Sequence, residues 1–211
     1  MSTHINVERI CSVCNNTSDH IILGSSNTFG SPDLDLRPAQ MLRSTMCWWI
    51  EECPYCGYVA KNISTHKLVS KSWLTSQDFN EYKKISFHST LAIKFYKSYL
   101  ISKKINDRSA MFYDALHAAW ACDDANDVDN AIVCRKLALE VIDELIQFEK
   151  EDFELIKADL LRRSKQFESL INEFSNKQYS NEILNKILVF QLQKARDKDT
   201  RCYRVNDVVN E

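Results

Sequence analysis

The stretch that decides the fold is "WWIEECPYCGYVA", residues 48–60, in which a Cys-x-x-Cys pair follows two tryptophans and two glutamates. A second pair, "CSVC", stands near the start of the chain at residues 11–14. Each pair can present two thiolates to one ion, and two pairs complete the tetrahedral shell that structural zinc prefers. The sequence therefore predicts one Zn²⁺ per chain, bound by Cys11, Cys14, Cys53 and Cys56.

The residue after each pair suits a metal-binding turn. Gly57 follows Cys56 and Asn15 follows Cys14, and these residue types best accept the positive φ that such a turn needs. Four cysteines also indicate a closed structural site, because a catalytic zinc usually keeps one position open. The alternatives are a redox pair, which would need a βαβ setting, and core cysteines without metal. Cys47 is not part of the ligand pattern.

Glycine and proline divide the chain into two parts. All three glycines and all three prolines lie within the first 57 residues. Because these residues interrupt helices, their absence from residue 58 onward predicts a long helical region. We predict an α+β, mostly α chain, with a zinc-ribbon domain at residues 1–66 and an antiparallel helical, tetratricopeptide-like domain at residues 67–211.

Alternating apolar residues predict three short strands near the cysteines, at residues 20–24, 45–51 and 57–63. The second would deliver Cys53 and Cys56 to the metal. Met46, Trp48 and Ile50 would share one face of that strand.

A polar inserted loop, residues 31–45, separates the first two strands and carries Asp33, Asp35, Arg37 and Arg43. The Asp-x-Asp pattern puts two carboxylates on one face, as a Mg²⁺ or Ca²⁺ site would need. The alternative is that the aspartates pair with Arg37 or Arg43 and pin the loop. We favour this pairing, because no third or fourth oxygen ligand is identifiable.

The helical region shows apolar stripes at helical spacing. One comprises Ala131, Cys134, Ala138, Val141, Ile142 and Leu145, another Phe153, Ile156, Leu160, Phe167, Ile171 and Phe174, and a third Ile183, Leu184, Ile187, Leu188, Leu192 and Ala195. Breaks between helices are predicted at residues 123–129 and 177–181, with Asp129 and either Ser180 or Asn181 as N-caps.

A face of small residues at 111–122 permits another helix to pack closely against it. His117 on that helix is expected to pack or hydrogen-bond rather than to catalyse.

Residues 117–132 and 156–171 look like two versions of one unit, with Ala118 matching Ala158 and Trp120 matching Leu160. Matched residues are 40 positions apart. This exceeds the ~34 residues of a regular tetratricopeptide repeat, so a plain helical bundle is the alternative. Stacked repeats form concave surfaces that bind proteins.

The segments "FGSPDLDLRP", residues 29–38, and "MLRSTMCWWIEECPYCGYVA", residues 41–60, carry a family resemblance. Together with the first Cys-x-x-Cys pair they resemble a group of uncharacterised bacterial proteins of domain-of-unknown-function type. Those proteins look like a split four-cysteine zinc ribbon joined to a tetratricopeptide-like helical region. The resemblance covers residues 11–60, and it implies an architecture and zinc ligation but no reaction.

Net charge and hydropathy argue against nucleic-acid and membrane partners. A net charge of −2 and a pI near 6.2 give no general attraction for nucleic acid or anionic membranes. The N-terminus lacks an apolar signal core, and no apolar run approaches the ~20 residues of a membrane span. We therefore expect a cytoplasmic protein that binds another protein through its helices, with no membrane or nucleic-acid partner.

Two alternatives stay open. Many zinc ribbons bind nucleic acid, and a basic cluster lies at Lys194, Arg196, Lys198, Arg201 and Arg204, although Asp197 and Asp199 dilute it. The other alternative is a metal-dependent enzyme that uses Asp33 and Asp35. An enzyme is the least favoured of the three classes, because no catalytic motif or nucleotide fingerprint is present.

Overall fold

The structure is a computed structural model that describes residues 2–65, 68–147 and 150–209. The predicted boundary between the two domains falls at residues 66 and 67, which lie outside the described residues. Short strands precede the helices, so the chain is α+β and mostly α, as predicted.

Two antiparallel hairpins form the N-terminal part. Strands β1 (Thr3–Ile10) and β2 (Thr17–Ser25) make the first hairpin, and β3 (Glu51–Glu52) and β4 (Val59–Ala60) make the second. The turn of each hairpin contains one Cys-x-x-Cys pair. The strand predicted at residues 20–24 lies within β2, whereas β1 was not predicted. The strand predicted at residues 57–63 is reduced to β4.

The strand predicted at residues 45–51 was wrong. Residues Leu42–Trp48 form a 3₁₀-helix, and only Glu51 and Glu52 at its far end are extended. Local hydrogen bonds favour the helical turn: the Thr45 hydroxyl donates to the Leu42 carbonyl at 2.7 Å and accepts from the Trp49 indole at 2.8 Å. Met46 and Ile50 are both buried, and their spacing of four residues suits a helical turn as well as a strand.

Eight α-helices follow in the described residues. Helices α1 to α8 span Lys71–Leu74, Thr90–Lys104, Arg108–Asp124, Val128–Ile146, Lys150–Arg163, Phe167–Phe174, Glu182–Arg196 and Val205–Val209. A second 3₁₀-helix, Phe79–Lys84, lies between α1 and α2. From α2 to α5 each helix packs against the next, as short connections between antiparallel neighbours require.

Residues with positive φ end several of these helices without glycine. Asn106, Asn126 and Lys165 adopt this conformation after α2, α3 and α5. In each case the amide of the following residue donates to a carbonyl five residues earlier, at 2.8–2.9 Å, which satisfies a free carbonyl at the helix end.

The predicted breaks between helices around residues 123–129 and 177–181 are confirmed, but the break after Arg163 was not predicted. Asn181 caps α7 as predicted, whereas Asp127 rather than Asp129 precedes α4.

The buried apolar residues form two clusters. The larger joins the metal-site hairpins to α2, α3 and α4, and it includes Cys11, Cys53 and Tyr58. The smaller joins α5, α6 and α7 to Leu34 of the inserted loop and to Val208 of α8. The predicted stripe on α4 is buried from Ala131 to Ile142. The N-terminal segment therefore shares the core of the helices.

Candidate metal centre

The two Cys-x-x-Cys turns have the same backbone geometry. In the first, the Asn15 amide donates to the Cys11 carbonyl at 2.8 Å, and in the second the Gly57 amide donates to the Cys53 carbonyl at 2.9 Å. Asn15 has a φ of 58° and Gly57 a φ of 73°. The positive φ predicted after each pair is confirmed. These turns direct the thiols of each hairpin toward those of the other.

The four sulfurs lie close enough together to bind one metal ion. Cys11 Sγ is 3.7 Å from Cys56 Sγ, and Cys14 Sγ is 3.6 Å from Cys53 Sγ. All four sulfurs lie within 4.8 Å of one another. A tetrahedron with metal–sulfur bonds of about 2.3 Å has edges of about 3.8 Å, so the spacing fits a four-thiolate shell.

The protonation of the thiols depends on their surroundings. Burial raises the pKa of Cys14, but hydrogen bonds from Asn16 and from the thiols of Cys53 and Cys56 outweigh it and lower that pKa to about 7. Burial raises the pKa of Cys53 and of Cys56 above the ordinary value. A metal cation supplies the positive charge that allows such buried thiols to lose their protons.

Side chains next to the cysteines fasten the two hairpins together. The buried Glu51 carboxylate accepts from Arg9 Nε of β1 at 3.0 Å and from the Ile63 amide at 2.9 Å. Lys97 of α2 pairs with Glu52, and its ammonium lies beside Gly57. Local sequence spacing does not predict these roles, since the partners are distant along the chain.

The carboxylates of the inserted loop are held by arginines. Asp33 pairs with Arg43 at 2.5 Å, as the favoured pairing predicts. Asp35 is fully buried and pairs instead with Arg163 Nη1 of α5 at 3.0 Å. It also accepts from the Trp120 indole at 2.8 Å. Within the described residues, the four cysteines form the one group with metal-ligand spacing, so Asp33 and Asp35 are not brought into a second site.

Further arginines complete this buried ion cluster. Arg163 also contacts Asp123 at 2.7 Å, and Arg135 of α4 pairs with the same carboxylate. Burial raises the pKa of Asp123, but Arg135 and Arg163 outweigh it and lower that pKa below its usual value. Arg37 reaches Asp124 at 2.5 Å. The doublets Asp123–Asp124 and Arg162–Arg163 at the ends of α3 and α5 were the sequence signal that could have found the cluster.

His117 lies among aromatic rings, and the prediction that it packs is confirmed. Its ring centroid is 4.9 Å from Trp120, 5.1 Å from Phe95 and 5.4 Å from Trp49. It lies outside the group of side chains with metal-ligand spacing.

No protein-family model, curated protein or solved structure matches this chain. The resemblance to a bacterial zinc-ribbon group therefore stays a prediction. Of the helices in the described ranges, none is both long and apolar enough to cross a bilayer.

Proposed function

We propose that the four cysteines bind one structural Zn²⁺. The observation that carries this proposal is the grouping of all four sulfurs at the edge lengths of a zinc–thiolate tetrahedron. Cys11 and Cys53 are almost completely buried, which suits a closed site better than one that must admit a substrate. The same ligand set also suits iron, so metal analysis has to distinguish the two.

In this proposal the ion joins the two hairpins. Each hairpin supplies two ligands, and the extended pairing of β3 with β4 involves only two residues on each strand. Short hairpins are marginally stable alone. Zinc binding in comparable sites contributes about 10–16 kcal/mol to folding. The ion would therefore set the relative position of the segments that flank the inserted loop.

Metal analysis of the purified full chain tests the site. We expect about one equivalent of zinc per chain, its loss in Cys53→Ser, and its retention in Cys47→Ser. Cys47 is a matched control because it is an exposed cysteine in the neighbouring 3₁₀-helix. Less than a few tenths of an equivalent after expression with added zinc, or one equivalent of iron instead, would contradict the proposal.

We also propose that the protein acts in the cytoplasm as a protein-binding module, with the helices as its docking surface. The successive packing of α2 to α5 supports this, because helical repeats that stack in chain order present extended surfaces to partners. Val133 on α4, within this stack, and Val189 on α7, outside it, are exposed apolar side chains of the helices. A photo-crosslinking residue at either position should give a discrete protein adduct in cells of the source organism. The same residue at Glu8, exposed on β1 outside the helices, is the control and should give no adduct; equal adducts at Glu8 and at both valine positions would contradict the proposal.

The basic cluster near the C-terminus gives the nucleic-acid alternative little support, because its side chains contact groups within the chain. Arg201 forms an ion pair with Asp199 at 2.5 Å. The Lys194 ammonium lies 5.0 Å from the Phe190 ring and 5.4 Å from the Tyr203 ring. We expect at most weak, salt-sensitive binding of DNA or RNA at physiological ionic strength. Sub-micromolar binding that is lost on substitution of Lys194, Arg196 and Arg201 would favour the alternative.

A further inference from the structure

A buried lysine of helix α2 lies against the second cysteine turn. The Lys97 ammonium pairs with the carboxylate of Glu52, the residue directly before Cys53. It also lies beside Gly57, the residue directly after Cys56, and a Cβ on that glycine would be 3.5 Å from Lys97 Nζ. One side chain of the helical region therefore reaches both ends of the Cys-x-x-Cys turn.

The surroundings of the ammonium hold it in place. The Lys97 side chain is only 6% exposed. Its Nζ lies 5.7 Å from the Phe79 ring and 5.4 Å from the Tyr82 ring, and both rings belong to the second 3₁₀-helix. Lysine is almost never this buried unless it is paired with an opposite charge. The position of this ammonium and that of the Glu52 carboxylate therefore depend on each other.

Strand β3 is held from two sides just before it reaches the metal ligands. Glu51 bonds to Arg9 of β1, whereas Glu52, the next residue, bonds to Lys97 of α2. The pairing of β3 with β4 involves only two residues on each strand, and so short a hairpin is marginally stable alone. The orientation of the second cysteine pair therefore depends on side chains from outside its own hairpin.

We propose that Lys97 is a positioning residue for the metal. Its pair with Glu52 orients the second cysteine turn and so raises the affinity of the four-cysteine site for zinc. Outer groups that orient metal ligands change metal affinity roughly 10–100-fold when they are replaced. Because Lys97 belongs to α2, the pair also couples metal binding to the helices. This inference rests on the proposed zinc site.

Cobalt(II) titrations of the full chain, followed by competition with zinc, test the proposal, because the visible absorption of Co²⁺ reports tetrahedral thiolate coordination. Lys97→Met removes the charge and keeps an unbranched side chain against the two aromatic rings. We expect it to weaken both metals about tenfold. Glu52→Gln should weaken them by a similar factor. The double variant should lose little more than either single variant, because both changes remove the same ion pair.

Lys94→Met is the matched control and should leave both affinities unchanged. Lys94 lies on the same helix, is half-buried, and makes no ion pair within the described residues. Unfolding in urea separates positioning from a purely structural contact. Lys97→Met should lower the urea midpoint of the metal-loaded chain more than that of the metal-free chain, because weaker binding removes part of the stabilisation that the ion supplies.

The possible failures of this inference and of the proposed zinc site are distinguishable. If the unsubstituted chain binds neither zinc nor cobalt, both are wrong. If it binds them and either Lys97→Met or Glu52→Gln binds with unchanged affinity, this inference alone is overturned. Equal shifts of the urea midpoint with and without metal would also overturn it, since they would assign Lys97 to the fold and not to the metal.

Discussion

Replacement of Asp35 by alanine tests whether the inserted loop is part of the core. This carboxylate is fully buried and joins the loop to two helices. It accepts from the Trp120 indole of α3 at 2.8 Å and from Arg163 of α5 at 3.0 Å. Alanine removes both interactions and leaves the two donors in place.

The expected loss of stability follows from those two donors. A buried indole N–H without an acceptor costs about 1–3 kcal/mol. Removing one member of a buried ion pair costs about 3–5 kcal/mol when the other charge is left alone. Arg163 retains Asp123 at 2.7 Å, so the cost should fall at the lower end of that range. The two costs together give an expected loss of about 4 kcal/mol, or roughly 8–16 °C in Tm for a chain of this size.

Urea unfolding of metal-loaded protein, followed by far-ultraviolet circular dichroism, measures this loss. Lys186→Ala is the control, because it breaks an exposed pair with Glu182 and should cost about 0.5 kcal/mol or less. If Asp35→Ala does not fold, Asp35→Asn keeps the volume and one acceptor for Trp120. A loss below about 1 kcal/mol in Asp35→Ala, with an unchanged m-value, would refute the reasoning.

The remaining predictions concern the metal, the backbone and the buried histidine. Chelation should unfold the two cysteine hairpins and also lower the unfolding free energy of the helices, because Cys11, Cys53 and Tyr58 share one core with α2, α3 and α4; an unchanged urea midpoint of the helical circular dichroism would contradict this. Gly57→Ala should lower stability by about 1–2 kcal/mol, because a side chain disfavours its positive φ, whereas Asn15→Gly should cost nothing measurable in the same unfolding assay. His117 has a folded pKa of about 3 against about 6.5 when unfolded, so the unfolded state binds more protons between these values. Stability should therefore fall by up to about 1.4 kcal/mol per pH unit below pH 6.5, and His117→Phe should remove that part of the slope between pH 7.5 and 5; equal slopes would show that the ring is not held neutral.

The cysteine group was predictable because its signal is local. A Cys-x-x-Cys turn contains its own backbone geometry, and the residue that follows it reports the positive φ directly. The helical stripes were predictable for the same reason, since 3.6-residue spacing describes a single face. Asn181 was found as a cap because its side chain bonds to amides two and three residues later.

The ion cluster was predictable only in part, from the charged doublets at the ends of α3 and α5, because its other members are far apart along the chain. Asp35 and Arg163 are 128 residues apart, so no local spacing could pair them, and the predicted partners of Asp35 were Arg37 and Arg43 in the same loop. The 3₁₀-helix at Leu42–Trp48 was missed because alternation over a few residues fits a tight helical turn as well as a strand. The end of α5 was not predicted because the residue with positive φ there is Lys165. A glycine or asparagine at that position would have indicated the helix end.

The metal site and the ion cluster act on one segment of the chain. Residues 15–52, between the two cysteine pairs, include β2 and the inserted loop, so the proposed ion would fix both ends of this stretch. Closing a free loop of that length costs roughly 3 kcal/mol in chain entropy. With the ends fixed, Asp33 and Asp35 reach their arginines from a smaller set of conformations. The proposed metal ion would therefore favour the buried ion pairs of the inserted loop, whose Leu34 makes the apolar contact to the second core.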